Sequence, residues 1–337
     1  MDALPSDPPA RIGWVCNWLT PDLPEQEAKA FNFRDNTVSA LLRLGPAARV
    51  AKLHELVRHN AAALRRQVAL TAALPPRQRA MRIASHALPC FTHPETRPLY
   101  DEPSIRHAVE ALFPPIGEQA RQGDVRLSTH PAQFCVLSSA REEVLRSSID
   151  EIEYHTRLFR LLGLAGGWHP RGTHINIHGG ARAGGIAAFR AGFARLSEEA
   201  RGLLTVENDE VAYGLDDLLP LADALPVVLD LHHHWVATGD YIEPADPRIA
   251  AIAGSWRGVR PMAHVSAPRE ELAAAKQALP DRAALLEAGV SAKDLRAHAP
   301  RLWNGPHAAW ARRHLAWADL EVEAKEKNLA SAAFAAG

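Results

Sequence analysis

One rhythm constrains this chain more than any other feature: eight short apolar or β-branched runs recur along it, separated by longer stretches of helical periodicity. The runs are Arg11–Trp18, Ala80–Ser85, Val125–His130, Thr173–His178, Leu203–Asn208, Val227–His232, Val259–Ser266 and Leu320–Lys325. Between the first two, Val38, Leu41, Leu42, Val50, Leu53, Leu56, Val57, Leu64 and Val68 recur at three-to-four spacing, which predicts two amphipathic helices broken near Gly45-Pro46. Segments 144–162 and 186–204 repeat the theme. Parallel strands need long crossovers, usually helical. Eight strands alternating with helices therefore predict an α/β fold, a (β/α)₈ TIM barrel in a single domain. The barrel is assigned to residues 11–330, with a flexible N-terminal tail at 1–10 and a C-terminal tail at 331–337. Segment 266–302 is the least regular and is expected to lie as a loop and helix over the barrel mouth.

The 337 residues are 47% hydrophobic, enough for one large core of this type. The 38 basic and 39 acidic residues leave a net charge of −1, so a nucleic-acid partner would need a local basic groove or metal ions at the phosphates. Cys16, Cys90 and Cys135 are far apart and fit no metal or redox spacing, as expected of reduced thiols in the cytosol. The opening MDALPSDPPA has no secretory character, and no apolar run reaches the roughly 18 residues of a membrane span. A soluble, cytoplasmic protein is expected, with no membrane association and no obligatory protein partner.

In barrels of this type the active site lies at the C-terminal ends of the strands. Here the strand ends share a chemistry. Strand one closes on Cys16-Asn17-Trp18, and strand two on Ser85, with His93 a short loop later. Strand three ends in His130-Pro131, strand four in His178, and strand five in Glu207-Asn208-Asp209. Strand six ends in Asp230-Leu231-His232-His233-His234, strand seven carries His264, and strand eight Glu323. An isolated buried carboxylate is very costly, so Glu207, Asp230 and Glu323 closing three apolar strands call for cations. Histidine with carboxylate suits zinc or manganese. This many ligands predicts a cluster of two or three divalent ions, Mn²⁺ foremost, with Zn²⁺ or Mg²⁺ as alternatives. Paired ions about 4 Å apart stabilise the attacking and leaving oxygens of a displacement at phosphorus.

A lone histidine is more often structural than a ligand. His54, His59, His107, His169, His307 and His314, in helical or loop contexts, are read that way. In the triple histidine, strand alternation sends Asp230 and His232 to one face and His233 to the other. A turn just past the strand would return His233 to the site, and His232 or His234 would then orient a ligand from behind.

Read in order, these segments resemble the UV-damage endonucleases over about residues 11–330. The resembling stretches are Arg11-Ile12-Gly13-Trp14 with Asn17, Arg82-Ile83-Ala84-Ser85 with Pro89 and His93, His130-Pro131-Ala132-Gln133-Phe134, and Ser147 through Tyr154-His155. They continue with His178-Gly179-Gly180, Glu207-Asn208-Asp209-Glu210, residues 229–234, His264-Val265-Ser266 and residues 321–327. The resemblance implies His93, His130, His178, Glu207, Asp230, His233, His264, His298 and Glu323 as metal ligands. It implies Gln133-Phe134 as the lesion-probing pair, which wedges into unstacked duplex. Trp14, where the family usually has tyrosine, would stack on a displaced nucleotide, with Asn17 beside it. The chain departs from the pattern at Met262, where the family often has a lysine, and at Ala299, where it tends to be acidic. It departs again in Gly179-Gly180, which follow His178 directly and are not succeeded by a lysine.

The reading is a hydrolase for DNA repair in the response to UV. It cuts the phosphodiester of double-stranded DNA 5′ to UV-induced and other distorting lesions, with Glu207, Glu323 and His264 as catalytic residues. One rival is a sugar isomerase or epimerase on the same barrel, which leaves His93, His130, His178 and Gln133-Phe134 without a role. The other is a non-catalytic damage-binding relative, motivated by Met262 and Ala299.

Overall fold

The computed structural model describes residues 9–272 and 277–337. Of the expected N-terminal tail, residues 1–8 lie outside the described residues. Among the described residues, eight parallel strands close into a barrel in sequence order. They are β1 (Ile12–Cys16), β2 (Ala80–Ile83), β3 (Arg126–Thr129), β4 (His174–His178), β5 (Leu204–Glu207), β6 (Val227–Asp230), β7 (Met262–Val265) and β8 (Asp319–Val322). The first crossover breaks where Gly45-Pro46 predicts. Helix Val38–Leu42 ends before it, and Pro46 opens helix Pro46–Ala73 at a position where its missing N–H is no loss. No described helix is long and apolar enough to cross a membrane.

One expectation is corrected at the C-terminus. Residues 331–336 are not a tail but the body of helix Lys327–Ala336. Ser331 and Phe334 are buried there, and the Arg312 guanidinium lies 4.8 Å over the Phe334 ring and donates to its carbonyl. Phe334 and Ala330 pack into the core, and Asn328 and Ser331 bond the backbone of Leu19 and Ile12, so the helix is docked along its length.

Barrel strands are buried on both faces, and here the faces differ sharply. Outward residues such as Ile83, Leu127, Ile177, Val206 and Leu320 join the apolar layer beneath the helices. The inward residues are largely polar and still buried: Arg82, Arg126, Ser128, Asn176, Thr205, Glu207, Asp230, His264, Asp319 and Glu321. They stack in tiers. In the lowest, Asp319 receives Arg126 Nη1 at 2.8 Å, Arg260 Nε at 3.0 Å and the Arg11 backbone N–H at 2.8 Å. Val228, Trp256 and Met262 form a small apolar cluster of their own, separate from the outer core. One tier up, Ser128 Oγ and Arg82 Nε (2.8 Å) donate to Glu321, and Thr205 Oγ1 donates to Asn176 Oδ1 at 2.8 Å.

Candidate metal centre

Above these tiers the strand ends converge on Glu207. Strand pairing sets His178 beside Glu207 and Asp230 beside His264. Three groups of side chains share Glu207: His130 with His178, Asp230 with His233, and His264 with Glu323. Within each group the ligand atoms lie within 4.8 Å of one another.

Local structure orients each partner. His130 Nδ1 lies 2.9 Å from the Pro131 carbonyl, which it can donate to, leaving Nε2 facing Glu207 Oε2 at 3.0 Å. A bare nitrogen lone pair and a carboxylate oxygen that close need a proton or a cation between them. Asn176 also donates to that oxygen. The turn needed for His233 is present: β6 stops at Asp230, whose Oδ1 accepts the His233 N–H at 2.6 Å and caps helix Leu231–Thr238. The cap swings His233 back, so that Nδ1 lies 3.5 Å from Glu207 Oε1. His232 is buried and stacked on Trp235, with its ring 5.5 Å from His298, so it backs that residue. His234 is buried and belongs to none of the three groups.

The electrostatics are unbalanced in a telling way. Burial resists ionisation of Glu207, but His264, His178 and His130 outweigh it and hold its carboxyl well below the usual range. Burial pushes Asp230 up to about 7, aided by Glu207 and Glu323 against the pull of His233. Burial also opposes charge on His233, yet Asp230, Glu207 and Glu210 push it up to about 10. His178 is driven down to about 4 by burial. Glu207 Oε1, Asp230 Oδ2 and His178 Nδ1 are buried and accept no well-aligned hydrogen bond, although His264 Nδ1 lies 3.1 Å from Glu207 Oε1. Unsatisfied buried oxygens and nitrogen around one carboxylate are what a cation site requires. The donor set fits divalent metal.

Two charged residues that carry the far side of the centre escape a search of strand ends. Arg82, buried inside β2, donates to Glu321 and Glu323 and lies 2.9 Å from His264 Nε2. Glu321 is its partner one tier down. The signal was available: a charge at an inward position of an apolar run, as in Met81-Arg82-Ile83 and Leu320-Glu321-Val322, must find a buried counter-charge.

The remaining expected residues divide. His298 lines the cavity, held by an antiparallel bridge to Pro268, with Nδ1 3.9 Å from Glu323 Oε2. His93 joins no ligand group, and its Nδ1 accepts the Glu95 N–H at 3.3 Å. Gln133 lines the cavity, and Phe134 beside it is 64% exposed. The loop carrying them is pinned by Val136 N–H to Ser148 Oγ at 2.7 Å. Asn17 is exposed at the exit of β1. Trp14 must be corrected: it is 1% exposed, edge-on to Trp18 and donating to Thr71, so it belongs to the outer core and cannot stack on a nucleotide. Met262 lies in the apolar cluster with Trp256, and Ala299 is buried. Over the ligands sits an open cavity of about 540 Å³, lined by His130, Gln133, His178, Glu207, His233, Arg296, His298 and Glu323 among others.

The model of the family described as UV-endonuclease UvdE matches residues 10–335. The chain belongs to that family. A family relative named UV-damage endonuclease in Neurospora crassa is 32% identical over 267 residues, 75% of this chain and 36% of that protein. One named UV DNA damage endonuclease in Bacillus cereus is 26% identical over 260 residues, 74% of this chain and 72% of its own. This chain thus spans little more than a third of the Neurospora protein. The crystal structure of SacUVDE superposes with a TM-score of 0.69 at 22% identity, covering 96% of this chain and 95% of that one, and shares the fold.

Proposed function

We propose that this chain is a metal-dependent hydrolase that nicks double-stranded DNA on the 5′ side of UV-induced and other distorting lesions, acting in the cytoplasm. The observation that carries the reading is the sharing of Glu207 among three ligand groups within one open cavity. His130 and His178, Asp230 and His233, and His264 and Glu323 would hold divalent ions against it, Mn²⁺ foremost. Bound there, such ions supply charge to the attacking and leaving oxygens at phosphorus and lower the pKa of water.

The chain's own residues do the rest. Arg82 keeps Glu323 and His264 in place, so the far wall does not collapse under its own charge. Asn176 and His130 fix Glu207 from the other side. Gln133 and Phe134, on an anchored loop at the rim, offer an amide for orphaned base edges and an aromatic face for lost stacking. Asn17 lies exposed at the same end of the barrel. His93, outside the three groups, has no assigned role.

Incubation with Mn²⁺ and UV-irradiated supercoiled plasmid, beside an unirradiated control, tests this directly. Nicking of only the irradiated plasmid, abolished by Glu207→Gln, is expected. Equal cutting of both plasmids, or full activity in Glu207→Gln, contradicts it.

A further inference from the structure

The cavity above the ligands has an excess of negative charge. Glu207, Asp209, Glu210 and Glu323 all line it, whereas Arg296 is the one arginine or lysine among its described lining residues. A phosphodiester entering there brings more negative charge. Asp209 is already committed: its carboxylate accepts the backbone N–H groups of Val211 (2.7 Å), Ala212 and Tyr213 (3.2 Å), which makes the loop after β5 a tight, closed turn. That turn fixes Glu210, the next residue.

Glu210 in turn holds Arg296. Its Oε1 lies 3.0 Å from Arg296 Nε, while its Oε2 lies 3.7 Å from His233 Nε2. The guanidinium is thereby tethered one carboxylate away from the metal-ligating residues. It lies just past helix Ala292–Leu295, in the segment anchored by the Pro268–His298 bridge. The tether uses Nε, and the side chain remains 43% exposed. An arginine fork presents parallel donors that match two oxygens of a phosphate. Glu210 is largely buried, but the guanidinium end of the pair is 43% exposed and screened by solvent, so folding alone does not account for its place over the centre.

Resting on the endonuclease reading above, we propose that Arg296 binds a phosphate of the cleaved DNA strand and that Glu210 positions it. Arg296 is a substrate-binding residue and Glu210 a positioning residue. The loop after β5 and the segment after β7 thus act together as a phosphate clamp beside the metal ligands.

The test uses the full-length protein with Mn²⁺ and a UV-irradiated duplex, with binding and nicking followed across a KCl series. Arg296→Gln is expected to raise KM and Kd about tenfold. It should also reduce the slope of log affinity against log salt by about 0.9, the loss of one phosphate contact. Arg296→Lys should keep the slope while losing part of the affinity, and Glu210→Gln should raise KM more than it lowers kcat. Mn²⁺ stoichiometry and thermal midpoint should not change in Arg296→Gln. Wild-type affinity and salt slope in Arg296→Gln overturn the proposal, as does loss of bound Mn²⁺ in that variant, which would make the residue structural. A wild-type protein that ignores irradiated DNA overturns the endonuclease reading itself.

Discussion

The barrel interior holds buried charge at both ends and treats it in opposite ways. At the lower end Asp319 is saturated: Arg126, Arg260 and the Arg11 backbone occupy both of its oxygens. At the rim Asp230 Oδ2 and His178 Nδ1 have no hydrogen-bond partner, and Glu207 Oε1 meets only imidazole nitrogens, His264 Nδ1 at 3.1 Å and His233 Nδ1 at 3.5 Å. Both regions are built from inward positions of the same barrel and have the same alternation, so sequence pattern alone does not separate them. Pairing of the carboxylate oxygens does, even though Arg126 Nη2 in the lower tier also lacks a partner. A satisfied buried ion pair is architecture, and an unsatisfied buried carboxylate surrounded by imidazoles awaits a ligand. Arg82 stands between the two, pairing Glu321 below and Glu323 above.

The largest expected effect lies in the saturated tier. Asp319→Asn strands Arg126 and Arg260, and breaking a buried pair from one side costs about 3–5 kcal/mol. Urea unfolding should show that loss in the metal-free protein. Glu207→Gln removes a carboxylate that His264, His178 and His130 hold ionised, and should cost the metal-free protein less than Asp319→Asn does. If the two substitutions cost the same, the distinction between the ends fails.

Next comes metal. At Mn²⁺ one hundred times its Kd, stability should rise by about 2.7 kcal/mol. In Glu207→Gln that gain should vanish, because the shared ligand is gone. A thermal melt with and without Mn²⁺ reads both.

The pH dependence of metal uptake is the third effect. His233 is held up to about 10 by Asp230, Glu207 and Glu210 against the effect of burial, so it carries a proton at neutral pH. Ligation needs the neutral ring. Mn²⁺ affinity should therefore rise as pH increases through 7–10, by at most about tenfold per unit for one displaced proton, and level off above. Below 7 it should fall more steeply, since Asp230, raised to about 7 by burial, then takes up a proton as well. Titration calorimetry in buffers of different ionisation enthalpy measures the protons released. A pH-independent affinity would exclude His233 as a ligand.

The smallest effect on stability belongs to the rim. Phe134→Ala removes an exposed ring and should change folding by no more than about 0.5 kcal/mol. The preference for irradiated over intact plasmid should fall nonetheless. Unchanged preference would remove Phe134 from lesion recognition.

Much of this architecture was legible in the residues. The eight runs locate the strands within a few positions, because parallel barrel strands need apolar character and helical spacing between them. Glu207, Asp230, His264 and Glu323 could be read because charge at the end of an apolar strand has few explanations. Trp14 was placed on the nucleotide by the resemblance alone, whereas its strand position faces the helices and the outer core takes it. His298 could not be reached by periodicity, since a non-local bridge to Pro268 delivers it. Arg82 and Glu321 were passed over because they sit inside their strands, where each alone reads as an anomaly and only the pair makes sense. Phe334 was lost in a run of alanines, although with Asn328, Ala330 and Ser331 it docks the last helix.

Anomalous diffraction from crystals grown with Mn²⁺ tests the central claim most directly. The account predicts peaks touching Glu207 at the three ligand groups, with His130 and His178, with Asp230 and His233, and with His264 and Glu323. Anomalous density elsewhere in the chain, with none touching Glu207, would contradict it.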